Sequence, residues 1–435
     1  MKFIQTLKNI WKIEDLRKRL TITFMFILIY RFGCQVVLPG IDPNHLQELA
    51  KFTNKSGLMQ LLDMFSGGAF AQASVFALGI MPYITASIVI QLMGMVMPSF
   101  QKMQREGESG RMKLNQYTRY LTVAILLVQG FAYLLNLSHQ VGITFSGLRL
   151  ALLTLVLSAG GMFIMWLGEK ITDKGIGNGI SLIIFVGIIA RFPIAFWSEF
   201  TGRLTSSQGG LVMFLVEIIV LFAVTAGAVM LTQGTRKVPV QYAKRIVGNK
   251  QYGGARQYIP LKVNAANVMP IIFAQALMFI PLTIAGFSSE GSGFAATFAD
   301  INGFWYNVVY FLLIVAFTYF YTAITVRPTQ MAEEMKKNSG FIPGIKPGKK
   351  TAEYLDSIMS RITLPGSIFL GIVAIMPAFA RLMGVNQNFA QFFGGTSLLI
   401  SVGVVLDTLQ QIETHLRMHH YDGLMKSGKI KGRAS

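Results

Sequence analysis

The chain has 435 residues, of which 52% are hydrophobic and only 14% are charged, and its formal net charge is +19. Soluble domains are about one-quarter charged, so this composition excludes an ordinary soluble protein and indicates a polytopic membrane protein. The single cysteine, Cys34, excludes an internal disulfide framework.

The N-terminal segment, residues 1–19, is predicted to be an amphipathic helix on the membrane surface. Phe3, Ile4, Leu7 and Trp11 recur at helical spacing among lysines, a pattern typical of a helix lying in the interface. The segment lacks the short apolar core and cleavage site of a signal peptide, so we expect it to be retained on the cytoplasmic side.

Ten apolar stretches follow, and each is close to the roughly 20 residues that a membrane-spanning helix needs. They lie near residues 20–38, 75–97, 118–137, 147–167, 178–196, 211–233, 266–286, 305–326, 364–383 and 394–413. The predicted fold class is therefore an all-α membrane protein with ten transmembrane helices.

Lys and Arg collect in alternate connections. They are dense before the first, third, seventh and ninth spans and after the tenth. The opposite connections hold only Lys51, Lys55, Arg149, Arg191, Arg203 and Arg381. Basic loops stay inside, so both termini are predicted to be cytoplasmic in a multi-pass topology. This bias accounts for most of the positive charge without invoking nucleic-acid binding.

Residues 58–72 precede the second span and are apolar but interrupted. The stretch from Met64 reads "MFSGGAFAQASVFALGIMPYI". If residues 58–72 crossed the membrane, every later basic loop would face outward, so we expect this segment to enter and return on the outer side. Either it is a loop helix on the outer surface, or it occupies a cavity that shields its backbone.

Five spans precede Phe200 and five follow it, which predicts two inverted halves at residues 20–200 and 201–413, with a cytoplasmic tail at 414–435. The cytoplasmic loops at 234–265 and 327–363 are long, basic and rich in turn residues. They either dock a partner or serve only as solvated connections.

Chemistry-bearing patterns are scarce. The ionisable residues inside spans are Arg31, Glu217 and Asp407, and we expect each to have a structural role. The stretch "GIGNGIS" from Gly175 lacks the spacing of a phosphate-binding loop and fits a helix that starts at Asn178. We do not expect His415 and His419, four residues apart, to form a metal site. We therefore predict no enzyme activity, no metal and no cofactor.

Several long motifs resemble the SecY family, the central subunits of bacterial protein-conducting channels. They include "ALGIMPYITASIVIQLM", "REGESGRMKLNQYTRY", "MWLGEKITDKGIGNGIS", "FIPGIKPGKKTAEYL" and "FGGTSLLI", and the resemblance runs from Leu16 to Lys431. It implies two pseudosymmetric halves arranged like a clamshell in the bacterial plasma membrane. It also implies a channel that translocates unfolded secretory proteins and inserts membrane proteins through a lateral gate.

The resemblance also implies partners. These are SecE, often SecG, the SecA ATPase or the ribosome as the source of driving force, and precursors that carry signal sequences. Anionic lipids are expected beside the basic cytoplasmic face.

Position by position, the resemblance assigns residues to four sites. The plug, a short helix that closes the channel from outside, falls at about 58–72 and includes Met64, Phe65, Ser66, Gly67, Gly68 and Phe70. The pore ring is Ile80, Ile84, Ile184, Ile272 and Ile400. The lateral gate includes Thr85, Gln91, Asn178 and Gln275. The docking positions for SecA or the ribosome are Lys237, Lys244, Arg245 and Lys346.

The physical logic of an aliphatic ring is that it has no hydrogen-bonding groups, so it dewets and blocks ions when empty. At Lys346 many family members have arginine, and lysine keeps the charge but loses the bidentate fork.

Two alternative functions stay open from the residues alone. A small-solute secondary transporter with inverted repeats would need a polar site near the midplane on broken helices. A membrane enzyme acting on lipid would need a His or carboxylate cluster at the interface.

Overall fold

The computed structural model describes residues 13–41, 63–141, 146–205, 210–242, 245–247, 250–252, 256–266, 268–275, 277–278 and 303–426. The predicted surface segment at 1–12, plug residues 58–62 and the docking residue Lys244 lie outside this part of the chain. The chain divides into two compact units, unit 1 within Met1–Ile194 and Val404–Ser435, and unit 2 within Ala195–Gly403.

The described residues of unit 1 include six helices and the end of a seventh. They are α1 (Glu14–Gly33), α2 (Met81–Val96), α3 (Pro98–Arg105), α4 (Glu108–Val141), α5 (Gly147–Lys174), the first part of α6 (Gly179–Thr205) and the last part of the final helix, α12 (Gly395–Lys426). The α4 helix packs along α2 and α5, and α1 packs on α5. Leu134, Leu157 and Phe70 belong to one buried apolar cluster, which joins α4 and α5 to the interrupted segment.

The described part of unit 2 combines helices with two small sheets. Its helices after α6 are α7 (Gly210–Gln233), α8 (Phe304–Thr325), α9 (Pro328–Lys337), α10 (Lys349–Leu382), the short α11 (Gln387–Ala390) and the first part of α12. A 3-10 turn at Gln391–Phe393 follows α11. Its strands are β1 (Thr235–Tyr242), β2 (Arg245–Val247), β3 (Lys250–Tyr252), β4 (Arg256–Lys262) and β5 (Gly340–Phe341). One sheet consists of β4, β1 and β5, and the other of β2 and β3. Residues 269–275 are helical.

Among the described residues, seven helices are long and apolar enough to cross a membrane. An eighth candidate is the pair formed by α2 and α3, which is bent by 102°. Of the other predicted spans, the first is the helix α1, and the seventh, 266–286, extends beyond the described residues. The all-α layout with ten predicted spans is consistent with this architecture.

Helix boundaries differ from the predicted spans in two ways. The α4 and α10 helices begin well before the apolar stretches at 118 and 364, because polar sequence continues a helix outside the bilayer as readily as apolar sequence inside it. The second span instead begins late, at Met81. Gly79 has a φ of +57°, which breaks the helix, and Pro82 in the first turn favours a start there.

The two long loops that were predicted to be cytoplasmic, turn-rich connections fold together in the structure. Strand β1 pairs antiparallel with β4 along its length and with β5 at its end, where Gln241 lies opposite Phe341. Val238, Leu261, Met335 and Leu355 form the apolar core of this module together with their neighbours. We call it the docking-loop module. The two segments therefore form one folded surface and are not two independent loops.

Candidate functional site

The interrupted segment is buried within unit 1. Residues 63–65 are helical and residues 66–80 form successive turns. Every residue from 63 to 80 is buried or half-buried, so the described part of the plug segment is embedded in protein and is not an exposed loop. The plug was predicted as a short helix, but most of its described part is turn. This geometry is expected where glycines and serine interrupt an apolar run.

Two polar side chains make hydrogen bonds to the backbone within the plug segment. Asp63 accepts a hydrogen bond at Oδ1 from the Ala71 backbone N–H, at 2.8 Å. The Ser66 hydroxyl donates to the Asp63 carbonyl at 3.0 Å and accepts from the Phe70 N–H at 3.1 Å. Non-helical backbone can be buried only if its polar groups have partners, and these side chains supply several of them.

Donors from the surrounding helices hold the plug through its carbonyl oxygens. On α1, the Tyr30 hydroxyl donates to Ser66 O at 3.3 Å and Arg31 Nη1 donates to Gly67 O at 3.0 Å. On α4, the Tyr133 hydroxyl donates to Phe70 O at 2.9 Å. Side chains of α1 and α4 therefore hold the plug segment in one position in unit 1.

One ion pair also ties the plug to α6. Arg191 donates through Nη2 to Asp63 Oδ2. The Asp63 side chain is only 6% exposed and that of Arg191 is 33% exposed, so the carboxylate depends on this partner for compensation of its charge.

Backbone contact between plug and α6 is close. A Cβ built on Gly67 would lie 2.9 Å from the Gly187 Cα, and one built on Gly187 would lie 3.0 Å from the Phe65 carbonyl oxygen. Glycine is needed at both positions because no side chain fits between the two backbones.

The predicted pore residues are distributed over both units. Ile80, Ile84 and Ile184 lie in unit 1, and Ile272 and Ile400 lie in unit 2. Ile80, Ile184 and Ile400 are buried, and the other two are half-buried. Ile80 directly follows Gly79, and a Cβ built on Gly79 would lie 3.4 Å from the Ser66 Cα of the plug segment. Within unit 1 the plug segment thus comes close to the start of α2, where Ile80 precedes the helix and Ile84 lies in its first turn.

Three of the predicted gate residues make local hydrogen bonds. Thr85 donates to Met81 O at 3.1 Å, and Gln91 donates to the Ser87 hydroxyl at 3.3 Å on the same helix. Asn178 Oδ1 accepts from the Ile180 and Ser181 N–H groups at 3.1 and 3.3 Å, which confirms that this residue starts α6. Gln275 lies in the helical residues 269–275 and is 8% exposed.

Two of the predicted docking residues, Lys237 and Lys346, lie on the docking-loop module. Lys237 is exposed on β1 beside the buried Val238, and Lys346 is exposed just before α10, where its carbonyl oxygen accepts from the Thr351 hydroxyl at 2.9 Å. Arg245 begins β2. Exposed cations on a folded sheet and helix start are positioned for an acidic partner surface.

The three ionisable residues predicted inside spans have different surroundings. Arg31 holds the plug as described above. Glu217 pairs with Arg203, which also donates to Glu199 at 2.9 Å. Arg31 and Glu217 therefore both have structural partners. Asp407 is exposed on α12.

Sequence reasoning found the plug but missed the residues that hold it. Asp63, Tyr30 and Tyr133 carried no assigned role, and Arg191 was counted as part of an outer connection although α6 runs past it to Thr205. An arginine within an apolar stretch was the one available signal.

Comparisons with known proteins agree with this geometry. The SecY family model matches residues 74–409. The chain belongs to the SecY family. The SecY protein translocase subunit of Streptomyces coelicolor is 44% identical, over 96% of this chain and 98% of that protein.

Solved SecY and Sec61 channels have a similar fold. One is a SecY structure in which the plug domain stabilises the closed state of the translocation channel and maintains a membrane seal. It has a TM-score of 0.63 and 18% identity and covers 92% of each chain. Another is Sec61 in the canine ribosome-channel complex, with a TM-score of 0.56 and 17% identity, again covering 92% of each chain.

Proposed function

We propose that this chain is the channel-forming subunit of a bacterial protein translocase. It moves unfolded secretory proteins outward across the plasma membrane and releases apolar segments sideways into lipid. Membership of the SecY family supports this proposal, and the observation that carries it is the buried plug. A turn-rich segment inside a bundle of spans is costly to bury and is explained if it closes a pathway.

The five isoleucines are proposed to form the pore constriction, as the family resemblance implies. An all-aliphatic ring excludes ions when empty and binds no particular sequence as a chain passes. The gate is proposed to run beside Thr85, Gln91, Asn178 and Gln275. Their hydrogen bonds average below about 1 kcal/mol in membranes, so any bonds formed across it would part at modest cost.

The energy for transport is proposed to come from partners, since the chain is not proposed to be an enzyme. SecE would brace the channel, often with SecG, and SecA or the ribosome would dock at Lys237, Lys244, Arg245 and Lys346. Both termini would be cytoplasmic, with anionic lipids beside the basic face. The exposed cations of the docking-loop module support this orientation.

A crosslinking experiment tests the pore. Cys34 is replaced by Ser, Ile84 is replaced by Cys, and the chain is reconstituted with SecE and SecA. A precursor with one cysteine is stalled midway by a folded C-terminal domain, and a bifunctional maleimide is added. We expect an ATP-dependent crosslink whose yield follows the stalled position. The control is Val96→Cys, because Val96 is 80% exposed at the end of the same helix.

Two outcomes would contradict the proposal. Equal crosslinking at positions 84 and 96 would mean that the precursor has no defined path along α2. No crosslink at position 84, with the precursor shown to be engaged, would move the path away from the predicted ring. Ile84→Gly gives an independent readout, since it should raise ion conductance through the resting channel.

A further inference from the structure

A groove of about 400 Å³ lies along one face of α5, outside every site described above. It is lined by Met162, Met165, Trp166, Glu169, Lys170 and Asp173 of α5 and by Arg119 of α4. The α5 residues are spaced by three and four, so they form a single stripe about 16 Å long. The volume is within the range of ligand-binding clefts.

The stripe changes from apolar to charged along its length. Met162, Met165 and Trp166 come first, and the three charged residues occupy the last turns of α5. Trp166 is 45% exposed and packs against Phe163, with ring centroids 5.7 Å apart. Apolar lining that gives way to tryptophan and then to charge matches an amphiphile that lies at a membrane interface.

The charges in the groove are not equally available. Arg119 already makes a bidentate pair with Glu169, with Nε to Oε1 at 3.1 Å and Nη2 to Oε2 at 2.7 Å. Within the described part of the chain, neither Lys170 nor Asp173 has a hydrogen bond or ion pair. One cation and one anion, three residues apart on the same helix face, are therefore free to bind a ligand.

We propose that this groove binds a zwitterionic aminophospholipid of the inner leaflet. The phosphate would contact Lys170, the primary ammonium would donate to Asp173, and an acyl chain would lie along Trp166 and the two methionines. Neighbouring positions on a helix face are about 5–6 Å apart, a spacing that suits two charges joined by an ethylene link. The leaflet assignment rests on the proposed orientation, but the headgroup chemistry does not.

The two charges of the groove, on Lys170 and Asp173, favour this headgroup over the headgroups of other phospholipids. An anionic lipid such as phosphatidylglycerol would satisfy Lys170 but place its phosphate beside an unpaired carboxylate. Phosphatidylcholine carries both charges, but its quaternary ammonium has no N–H to donate to Asp173. Phosphatidylethanolamine matches both groups.

The test uses the full-length chain, stripped of lipid in detergent, and native mass spectrometry. Phosphatidylethanolamine, phosphatidylglycerol and phosphatidylcholine with identical acyl chains are titrated separately. We expect the Kd for phosphatidylethanolamine to be about three- to fivefold lower than for the other two, as for one exposed ion pair. Binding in detergent does not depend on sidedness, so a wrong topology and a wrong site give different results.

Variants locate the binding. Asp173→Asn should abolish the preference for phosphatidylethanolamine over phosphatidylglycerol, and Lys170→Gln should weaken the binding of all three lipids. The matched controls are Lys174→Gln and Asp356→Asn, which change exposed charges outside the groove and should behave as wild type. Equal affinity of the wild type for the three lipids, tighter binding of phosphatidylglycerol, or an unchanged preference in Asp173→Asn would each overturn the proposal.

Discussion

The ion pair between Asp63 and Arg191 predicts how tightly the plug is held. Asp63→Asn removes the charge but keeps an oxygen that can accept from the Ala71 N–H. Arg191 is one-third exposed and can be hydrated, so the loss should be about 1 kcal/mol. Arg191→Met instead strands a carboxylate that is 6% exposed. Breaking a fully buried pair costs about 3–5 kcal/mol, which the exposure of Arg191 reduces to about 2–3 kcal/mol.

The native cysteine provides the assay. Cys34 is the only cysteine in the chain, is 1% exposed, and its Sγ lies 3.8 Å from Ser66 O of the plug. A maleimide can reach it only when the plug moves away, so the modification rate measures the population of the displaced state. We expect the rate to rise about fivefold in Asp63→Asn and about 30- to 150-fold in Arg191→Met.

The double variant distinguishes the pair from general damage. Asp63→Asn combined with Arg191→Met leaves no uncompensated charge, so its rate should return close to that of Asp63→Asn alone. Arg381→Met removes another arginine from the outer side and should leave the rate unchanged. The reasoning is refuted if Arg191→Met reacts no faster than Asp63→Asn, or if the double variant is as fast as Arg191→Met.

Three further predictions concern packing and buried charge. Gly160→Ala on α5 would place a Cβ 2.3 Å from a main-chain carbonyl oxygen, so it should cost about 1–3 kcal/mol and lower the thermal midpoint. Gly147→Ala, with nothing within 4 Å, should not. Arg203→Met should cost about 3–5 kcal/mol because it leaves two buried carboxylates, and adding Glu217→Met should recover part of this loss in a thermal melt. Tyr133→Phe removes one hydrogen bond to the plug and should raise the Cys34 modification rate about fivefold.

The membrane layout was predictable because it depends on local composition. Apolar length and basic loops identify spans without knowledge of what they contact. The helix start at Asn178 was predictable for the same reason, since a capping side chain acts on residues that immediately follow it. Helix ends outside the bilayer were not predictable, because no change in apolarity marks them.

Contacts between distant segments could not be predicted. Asp63 and Arg191 are 128 residues apart, and nothing near either residue indicates the other. Strand β1 shows alternation at Val238 and Val240, but its pairing with β5 joins residues about 100 positions apart. Such pairings depend on the whole fold, so the docking-loop module was first read as two separate loops.

The plug contacts are of a kind that permits reversible opening. Tyr30, Arg31 and Tyr133 all donate to main-chain carbonyl oxygens, which become hydrated once the plug moves. Each such bond contributes about 1 kcal/mol net, and about 3 kcal/mol together corresponds to roughly a hundredfold preference for the closed state. Stranding Asp63 without Arg191 costs a similar amount. The ion pair therefore matters less as a bond than as compensation for a buried charge, and its loss should offset most of what these three hydrogen bonds contribute.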